Sequence, residues 1–127
     1  MKTEFLDPPR RFDADGSGRF AMSDMGRIEL GADEQVTFAA AATGSQYDVA
    51  RKSWGYYATP SLNARLPACG LRPALARNAG GRYFVCLVEK GAGQDFAAYA
   101  SASGMRVLGW LDDAPTLERI AAALQKD

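Results

Sequence analysis

The sequence of 127 residues contains no histidine and only two cysteines. The absence of histidine excludes Ser-His-Asp and Cys-His catalytic sites, zinc sites with histidine ligands and an imidazole proton shuttle. Cys69 and Cys86 are too few for the disulfide framework of a small secreted domain, and no Cys-x-x-Cys motif is present. We therefore predict two reduced thiols in a cytoplasmic protein.

Long apolar runs are also missing. The N-terminal segment 1–11 has no apolar stretch of the kind that a secretory signal requires. The longest mainly apolar stretches, 36–42 and 83–88, are far shorter than the roughly 20 residues of a transmembrane helix. The composition, with 47% hydrophobic and 24% charged residues, is ordinary for a globular chain, and the length is that of one domain. The sequence predicts a single domain over residues 1–127 and no membrane partner.

The spacing of apolar residues predicts an α+β fold, with a mainly antiparallel sheet and two helices packed on one of its faces. The continuous apolar run Arg82–Val88 is typical of a strand that is covered on both faces, and we place it centrally in the sheet. Helical spacing surrounds Phe96 and Ile120. Gly104 is expected to end the first helix, and Asp113 is expected to cap the second. The further strands are predicted at Arg27–Leu30, Gln35–Ala42, Tyr47–Trp54, Leu71–Arg77 and Met105–Leu111. The glycines of the turn 78–81 are expected to join Leu71–Arg77 to Arg82–Val88.

The net charge of zero conceals an asymmetry along the chain. The segment 49–88 contains six basic residues and no Asp or Glu, whereas all fifteen acidic residues lie elsewhere. A small domain cannot bury six cations, so these side chains must reach the surface or pair with carboxylates from other segments. The basic residues are Arg51, Lys52, Arg65, Arg72, Arg77 and Arg82.

Aromatic and polar side chains accompany the cations in the first part of this segment. Arginine grips carboxylate or phosphate groups, and flat aromatic rings stack on sugars or bases, so the mixture suits an anionic ligand that contains a ring. Alternatively, Trp54 and one of the two tyrosines belong to the core, the other tyrosine caps an edge, and the arginines pair with the acids elsewhere. The candidate ligand-binding residues are Arg51, Lys52, Trp54, Tyr56, Tyr57, Ser61, Asn63 and Arg65.

The overall charge argues against nucleic acid as the anionic partner. The isoelectric point of about 6.3 is far from that of a strongly basic domain that neutralises many phosphates. We expect an anionic small molecule or a protein as the partner. The alanine-rich segment 38–42 could also pack closely against a second copy of the chain, although it equally suits a tight core.

The segment 13–24 resembles the calcium-binding loop of an EF-hand. Oxygen-bearing side chains occupy positions 1, 3, 5 and 12 of the loop, and Gly16 occupies position 6, where the loop turns sharply. Two features oppose calcium binding, because Asp24 is shorter than the usual Glu at position 12 and Pro8-Pro9 interrupts the expected entering helix. The alternative is a turn that joins two extended segments. The candidate metal ligands are Asp13, Asp15, Ser17 and Asp24.

Several short segments together resemble a family of small uncharacterised bacterial proteins encoded near surface-polysaccharide or sugar-biosynthesis genes. The resemblance implies a sugar-related context and no catalytic residue, and it does not extend over residues 1–25. The segments are Glu34–Phe38, Tyr47–Val49, Trp54–Leu66, Leu87–Gly91 and Trp110–Asp112.

These observations favour a non-enzymatic binding or accessory module for an anionic sugar-type metabolite or a protein partner. A small enzyme acting on an activated sugar is the first alternative, but the sequence shows no recognisable pair of nucleophile and base. A domain stabilised by calcium through the loop 13–24 is the second. No other cofactor is expected.

Overall fold

The protein is described by a computed structural model that covers residues 1–14 and 16–125. The strands are β1 (Lys2–Asp13), β2 (Ala21–Glu29), β3 (Gln35–Ala39), β4 (Gln46–Lys52), β5 (Gly55–Ala58), β6 (Leu71–Asn78), β7 (Tyr83–Glu89) and β8 (Met105–Trp110). The helices are α1 (Arg65–Ala68), α2 (Gly93–Ala102) and α3 (Ala114–Leu124). The coarse fold class is confirmed, because antiparallel sheets and helices are combined in the manner of an α+β protein.

The chain divides into two compact units. Unit 1 consists of Met1–Gln35 and Ala50–Tyr57, and unit 2 consists of Val36–Val49 and Ala58–Asp127. Strands β3, β4 and β5 form a three-stranded sheet of order β3-β4-β5. The single domain over 1–127 stays a prediction.

Unit 1 contains a long antiparallel ribbon of β1 and β2. The register changes between Phe5 and Arg10, where the chain includes Pro8-Pro9. Gly26 pairs with Phe5 at this point and adopts a φ of +127°, which favours glycine. A Cβ atom at Gly26 would lie 2.1 Å from the carbonyl oxygen of Glu4, so the close approach of the two strands requires a residue without a side chain.

Unit 2 contains the antiparallel sheet β7-β6-β8. Strand β6 occupies the centre and is mostly buried, whereas β7 lies at an edge. The prediction that the run Arg82–Val88 forms the central strand is therefore wrong. Tyr83, Phe84 and Val85 in this run keep between 43% and 60% of their surface exposed, so the apolar run is not covered on both faces.

Helices α2 and α3 contact opposite faces of this sheet. The Phe96 ring of α2 packs edge-on against Trp110, with 6.1 Å between the ring centroids. Thr116 of α3 instead approaches Gly109, where an added Cβ would lie 3.5 Å from the threonine methyl group. Because successive residues of a strand point to opposite faces, the two helices lie on different sides. The arrangement with both helices on one face is not confirmed.

The local signals around the helices are confirmed. Asp113 Oδ2 accepts hydrogen bonds from the backbone N–H and the hydroxyl of Thr116, at 3.0 and 2.7 Å, and caps α3. Gly104 follows α2 with a φ of +71°, which is the usual glycine position after a helix. Cys69 and Cys86 are free thiols, as predicted.

The buried hydrophobic residues of the described chain lie in unit 2. They are contributed by α1, β6, β7 and α2, and they place the core around the central strand β6. These residues are Leu66, Leu71, Ala74, Ala76, Val88 and Ala100. Among the described residues, no helix is both long enough and apolar enough to span a membrane.

Candidate functional site

The hairpin of β4 and β5 carries three exposed aromatic side chains in unit 1. Trp54 and Tyr56 each keep 68% of their surface exposed, and Tyr57 keeps 50%. Ser53 and Trp54 form the turn between the two strands, so the tryptophan lies at the tip of the hairpin. The interpretation of these rings as core residues is not supported.

The rings divide between the two sides of the hairpin. Tyr56 and Tyr57 are neighbours on a strand and therefore point in opposite directions. Trp54 contacts Tyr57, with ring centroids 6.4 Å apart and planes inclined by 45°. The guanidinium carbon of Arg51 lies 5.4 Å from the centre of the Tyr56 ring. One side of the hairpin thus presents the paired rings of Trp54 and Tyr57, and the other side presents the Tyr56 ring beside the Arg51 guanidinium group.

The two cations of β4 have partners within unit 1. The Arg51 guanidinium donates hydrogen bonds to the backbone carbonyls of Lys52 and Gly55, the latter at 2.9 Å, and closes the hairpin. Lys52 Nζ lies 2.5 Å from Asp33 Oδ1 in an ion pair whose two side chains remain 37% and 73% exposed. An exposed pair of this kind contributes about 0–1 kcal/mol. The Lys52 ammonium group can therefore exchange Asp33 for another anion at little cost in free energy.

The other three candidate residues lie in unit 2 and contribute to local structure. The Ser61 hydroxyl accepts a hydrogen bond from the backbone N–H of Arg65 at 2.9 Å, at the beginning of α1. The Arg65 guanidinium donates to Asp48 at 3.0 Å. Asn63 is exposed in the turn before α1. Five of the eight predicted residues thus belong to unit 1, and three belong to unit 2.

The segment 13–24 includes the last residue of β1, the first residues of β2 and the connection between them, and no helix flanks it within the described chain. Asp13 accepts hydrogen bonds from the backbone N–H groups of Gly16 and Gly18, and Ser17 accepts one from Arg19. Two extended segments, β1 and β2, therefore flank this region of the chain. Asp15 lies outside the described residues.

Asp24, the last candidate calcium ligand, is paired with other residues of the ribbon. Asp24 accepts from the Arg10 guanidinium at 3.1 Å and from the backbone N–H of Gly26 at 3.0 Å. The Gly26 and Arg10 hydrogen bonds hold the pKa of Asp24 below its usual value. Within residues 1–14 and 16–125, no three Asp, Glu, Cys or His side chains converge as a metal site would require. Calcium binding stays a prediction.

A pocket that the sequence did not predict lies in unit 2 beside the carboxylate of Glu89. The pocket has a volume of about 320 Å³, and Thr43, Ser45, Cys69 and Lys90 are among its lining residues. The hydroxyls of Ser45, at 2.6 Å, and of Thr43 both donate to Glu89 Oε2. These two hydrogen bonds hold the pKa of Glu89 below its usual value. The ionised Glu89 side chain thus holds the turn 43–45 in place by two hydrogen bonds. Glu89 and Ser45 are 44 residues apart, so no local sequence pattern predicts this contact.

Comparison of the chain with protein-family models, with curated proteins and with solved structures found no match. The resemblance to a bacterial family with a sugar-related context stays a prediction. The functional conclusion therefore depends on the side chains themselves.

Proposed function

We propose that this protein is a non-enzymatic binding module and that its ligand binds to the hairpin 51–57. The proposal depends on one observation, the exposure of Trp54, Tyr56 and Tyr57 within a single hairpin. Leaving apolar ring surface in water costs roughly 25 cal/mol per Å², and clustered exposure of this kind marks a binding surface.

The chemistry of one side of the hairpin favours an anionic sugar-type ligand. Lys52 and Arg51 are neighbours on β4 and point to opposite faces, so Lys52 shares the side of Trp54 and Tyr57, away from Arg51 and Tyr56. The apolar face of a sugar ring can stack on the Trp54–Tyr57 pair. A carboxylate or phosphate on the same ligand can replace Asp33 as the partner of Lys52, because that ion pair is exposed.

A protein partner is the alternative within the same function. Tryptophan, tyrosine and arginine are the residue types that contribute most to the free energy of protein–protein binding, and all three occur in this hairpin. A second copy of the chain is one such partner. The same three aromatic residues would then be covered by apolar side chains.

A small enzyme is the second alternative, and one contact favours it. The Ser45 hydroxyl donates to the Glu89 carboxylate inside a pocket, which is the contact that a nucleophile makes with its base. The pKa of Glu89 is held low by the Ser45 and Thr43 hydroxyls, and a carboxylate of low pKa is a weak base. This chemistry therefore favours binding over catalysis.

The test uses Trp54 as its own reporter. In the Trp110→Phe variant, whose fold is checked by circular dichroism, all tryptophan fluorescence comes from Trp54. Titration with sugar acids, nucleotide sugars and the matching neutral sugars should change this fluorescence. We expect Tyr57→Ala to weaken binding of every responding sugar at least tenfold. Lys52→Gln should weaken binding of the anionic ligands alone.

The matched control is Tyr99→Ala, which removes a half-exposed tyrosine from α2 and should leave the affinity unchanged. A fluorescence response that survives Tyr57→Ala would contradict stacking on the hairpin. No response to any sugar would exclude the sugar ligand. Analytical ultracentrifugation would then test for association between copies of the chain. Association of the wild type that is lost in Trp54→Ala would identify a second copy as the partner.

A further inference from the structure

The six cations of the segment 49–88 do not all find carboxylates. Lys52, Arg65 and Arg72 form ion pairs with Asp33, Asp48 and Asp112. Arg51 donates to backbone carbonyls. Arg77 of β6 forms no ion pair with any carboxylate within residues 1–14 and 16–125, and its guanidinium lies 5.6 Å from the centre of the Tyr83 ring.

The residue opposite Arg77 is another arginine. Arg77 and Arg106 are direct partners in the antiparallel pairing of β6 with β8, so their side chains project from the same face of the sheet. Arg106 also forms no ion pair with a described carboxylate. The two arginines line a pocket of about 270 Å³, together with Asn78, Ala79, Gly104 and Leu108. No acidic side chain is among these lining residues.

Like charges directly opposite each other on neighbouring strands destabilise a sheet. The carbonyl end of α2 precedes Gly104, and a helix C-terminus carries a charge of about −0.5, which offsets only part of two positive charges. Elsewhere in this sheet, Arg72 of β6 faces a carboxylate and forms two hydrogen bonds with Asp112, at 2.8 and 3.1 Å. The arginine pair thus lacks a counter-charge of the kind that Asp112, which follows β8, supplies to Arg72.

We propose that Arg77 and Arg106 form a binding site for a phosphate-type dianion. Each guanidinium group presents parallel N–H donors that match two oxygens of a phosphate, and a dianion balances the two positive charges. Tyr83, which pairs with Arg77 on the other side, adds an exposed ring beside the site. The ligand is therefore a phosphate group, either free or carried by a small organic molecule. This site lies entirely in unit 2 and does not depend on the hairpin 51–57.

The test compares the melting temperature of the full chain in sodium phosphate, in a hexose monophosphate and in sodium chloride at equal ionic strength. A ligand that binds the folded state raises the melting temperature with its concentration. We expect phosphate and the monophosphate to stabilise the wild type more than chloride does. Arg77→Gln and Arg106→Gln should each weaken the apparent affinity about tenfold or more, since each removes charge-assisted hydrogen bonds to the phosphate.

Two further variants separate this site from a general effect of charge. Arg82→Gln removes a cation from the neighbouring turn, which does not line the pocket, and should keep the full response. Arg106→Lys retains the charge but not the forked donors and should bind phosphate several-fold more weakly than the wild type. Without phosphate, Arg106→Gln should melt at or above the wild-type temperature, because the repulsion is relieved.

Two results would overturn the proposal. Equal stabilisation of the wild type by phosphate and chloride would show that the pocket has no preference for the dianion. A response lost equally in Arg82→Gln and Arg77→Gln would show that the effect follows total charge and not the arginine pair. A response to inorganic phosphate without one to the monophosphate would restrict the site to the free ion and support the proposal in that narrower form.

Discussion

The ribbon β1–β2 of unit 1 and the sheet β7-β6-β8 of unit 2 are both antiparallel, yet they are stabilised differently. In the ribbon, most side chains of both strands are exposed, and Phe5, Met25 and Ile28 keep between 39% and 69% of their surface in contact with water. In the sheet, Ala74 and Ala76 of the central strand are completely buried. The ribbon therefore depends on backbone hydrogen bonds and surface ion pairs, whereas the sheet depends on a hydrophobic core.

This difference shows how little strand pairing by itself contributes. A two-stranded hairpin without a covered face is at most marginally stable in water. Its ion pairs, such as the one between Arg27 and Glu29, are exposed and contribute little. Three changes test the contrast, beginning with the one of largest expected effect.

Removal of core volume should affect unit 2 most. Leu66 of α1 is only 1% exposed, and Leu66→Ala should lower the free energy of unfolding by about 2–5 kcal/mol because it leaves a cavity. The matched change Ile28→Ala removes a residue that is 39% exposed in the ribbon and should cost about 1 kcal/mol or less. Urea unfolding measures both values. Equal losses in the two variants would show that the ribbon also has a buried face in solution.

A side chain at Gly26 should disrupt the ribbon. Gly26→Ala places a methyl group within 2.8 Å of two backbone atoms of β1, at a φ of +127°, and should cost about 1–3 kcal/mol. Hydrogen exchange should show faster exchange of the β1 and β2 amides with little change in β6. Gly44→Ala is the control, because Gly44 also has a positive φ but nothing lies within 4 Å of the added atom. If Gly44→Ala loosened the ribbon equally, the close approach at Gly26 would not be the cause.

The pair of Arg72 and Asp112 should make the stability of unit 2 depend on pH. The Arg72 hydrogen bonds hold the pKa of Asp112 below its usual 3.8. The stabilisation is therefore present above the unfolded pKa and is lost as the pH falls through the lower folded pKa. Asp112→Asn should cost about 1–2 kcal/mol at neutral pH and flatten the decrease in melting temperature between pH 4 and pH 2. The control is Asp7→Asn, which changes an exposed residue of the ribbon and should leave the decrease in melting temperature intact. If Asp112→Asn showed the same decrease as the wild type, the pair of Arg72 and Asp112 would not be the cause of the decrease.

Much of the secondary structure was predictable because its signals are local. Asp113 before an apolar helical stripe predicted the cap of α3, and Gly104 predicted the end of α2. The turn 78–81 follows from its two glycines, since the Gly81 N–H donates to the Asn78 carbonyl at 3.1 Å. Hydrogen bonds over three or four residues are determined by the residues that they join.

The position of an element in a sheet was not predictable in the same way. The run Tyr83–Val88 is as apolar as a central strand, but β6, whose sequence includes Arg72 and Arg77, occupies the centre. A run of apolar residues shows a preference for burial and does not show which neighbours are present to bury it. The central strand accommodates its arginines because Arg72 pairs with Asp112, 40 residues away, and Arg77 is exposed.

The sequence by itself predicted the strands and helices from β6 to α3, but not β5 or the full length of β1 and β2. It also determined that six cations occur in a segment without acids. The tertiary structure decided which cations find carboxylates, which rings remain exposed and which arginines oppose each other across β6 and β8. The physical reason is range: propensities and caps act within about one turn of chain, whereas ion pairs and ring contacts depend on distances between segments far apart in sequence.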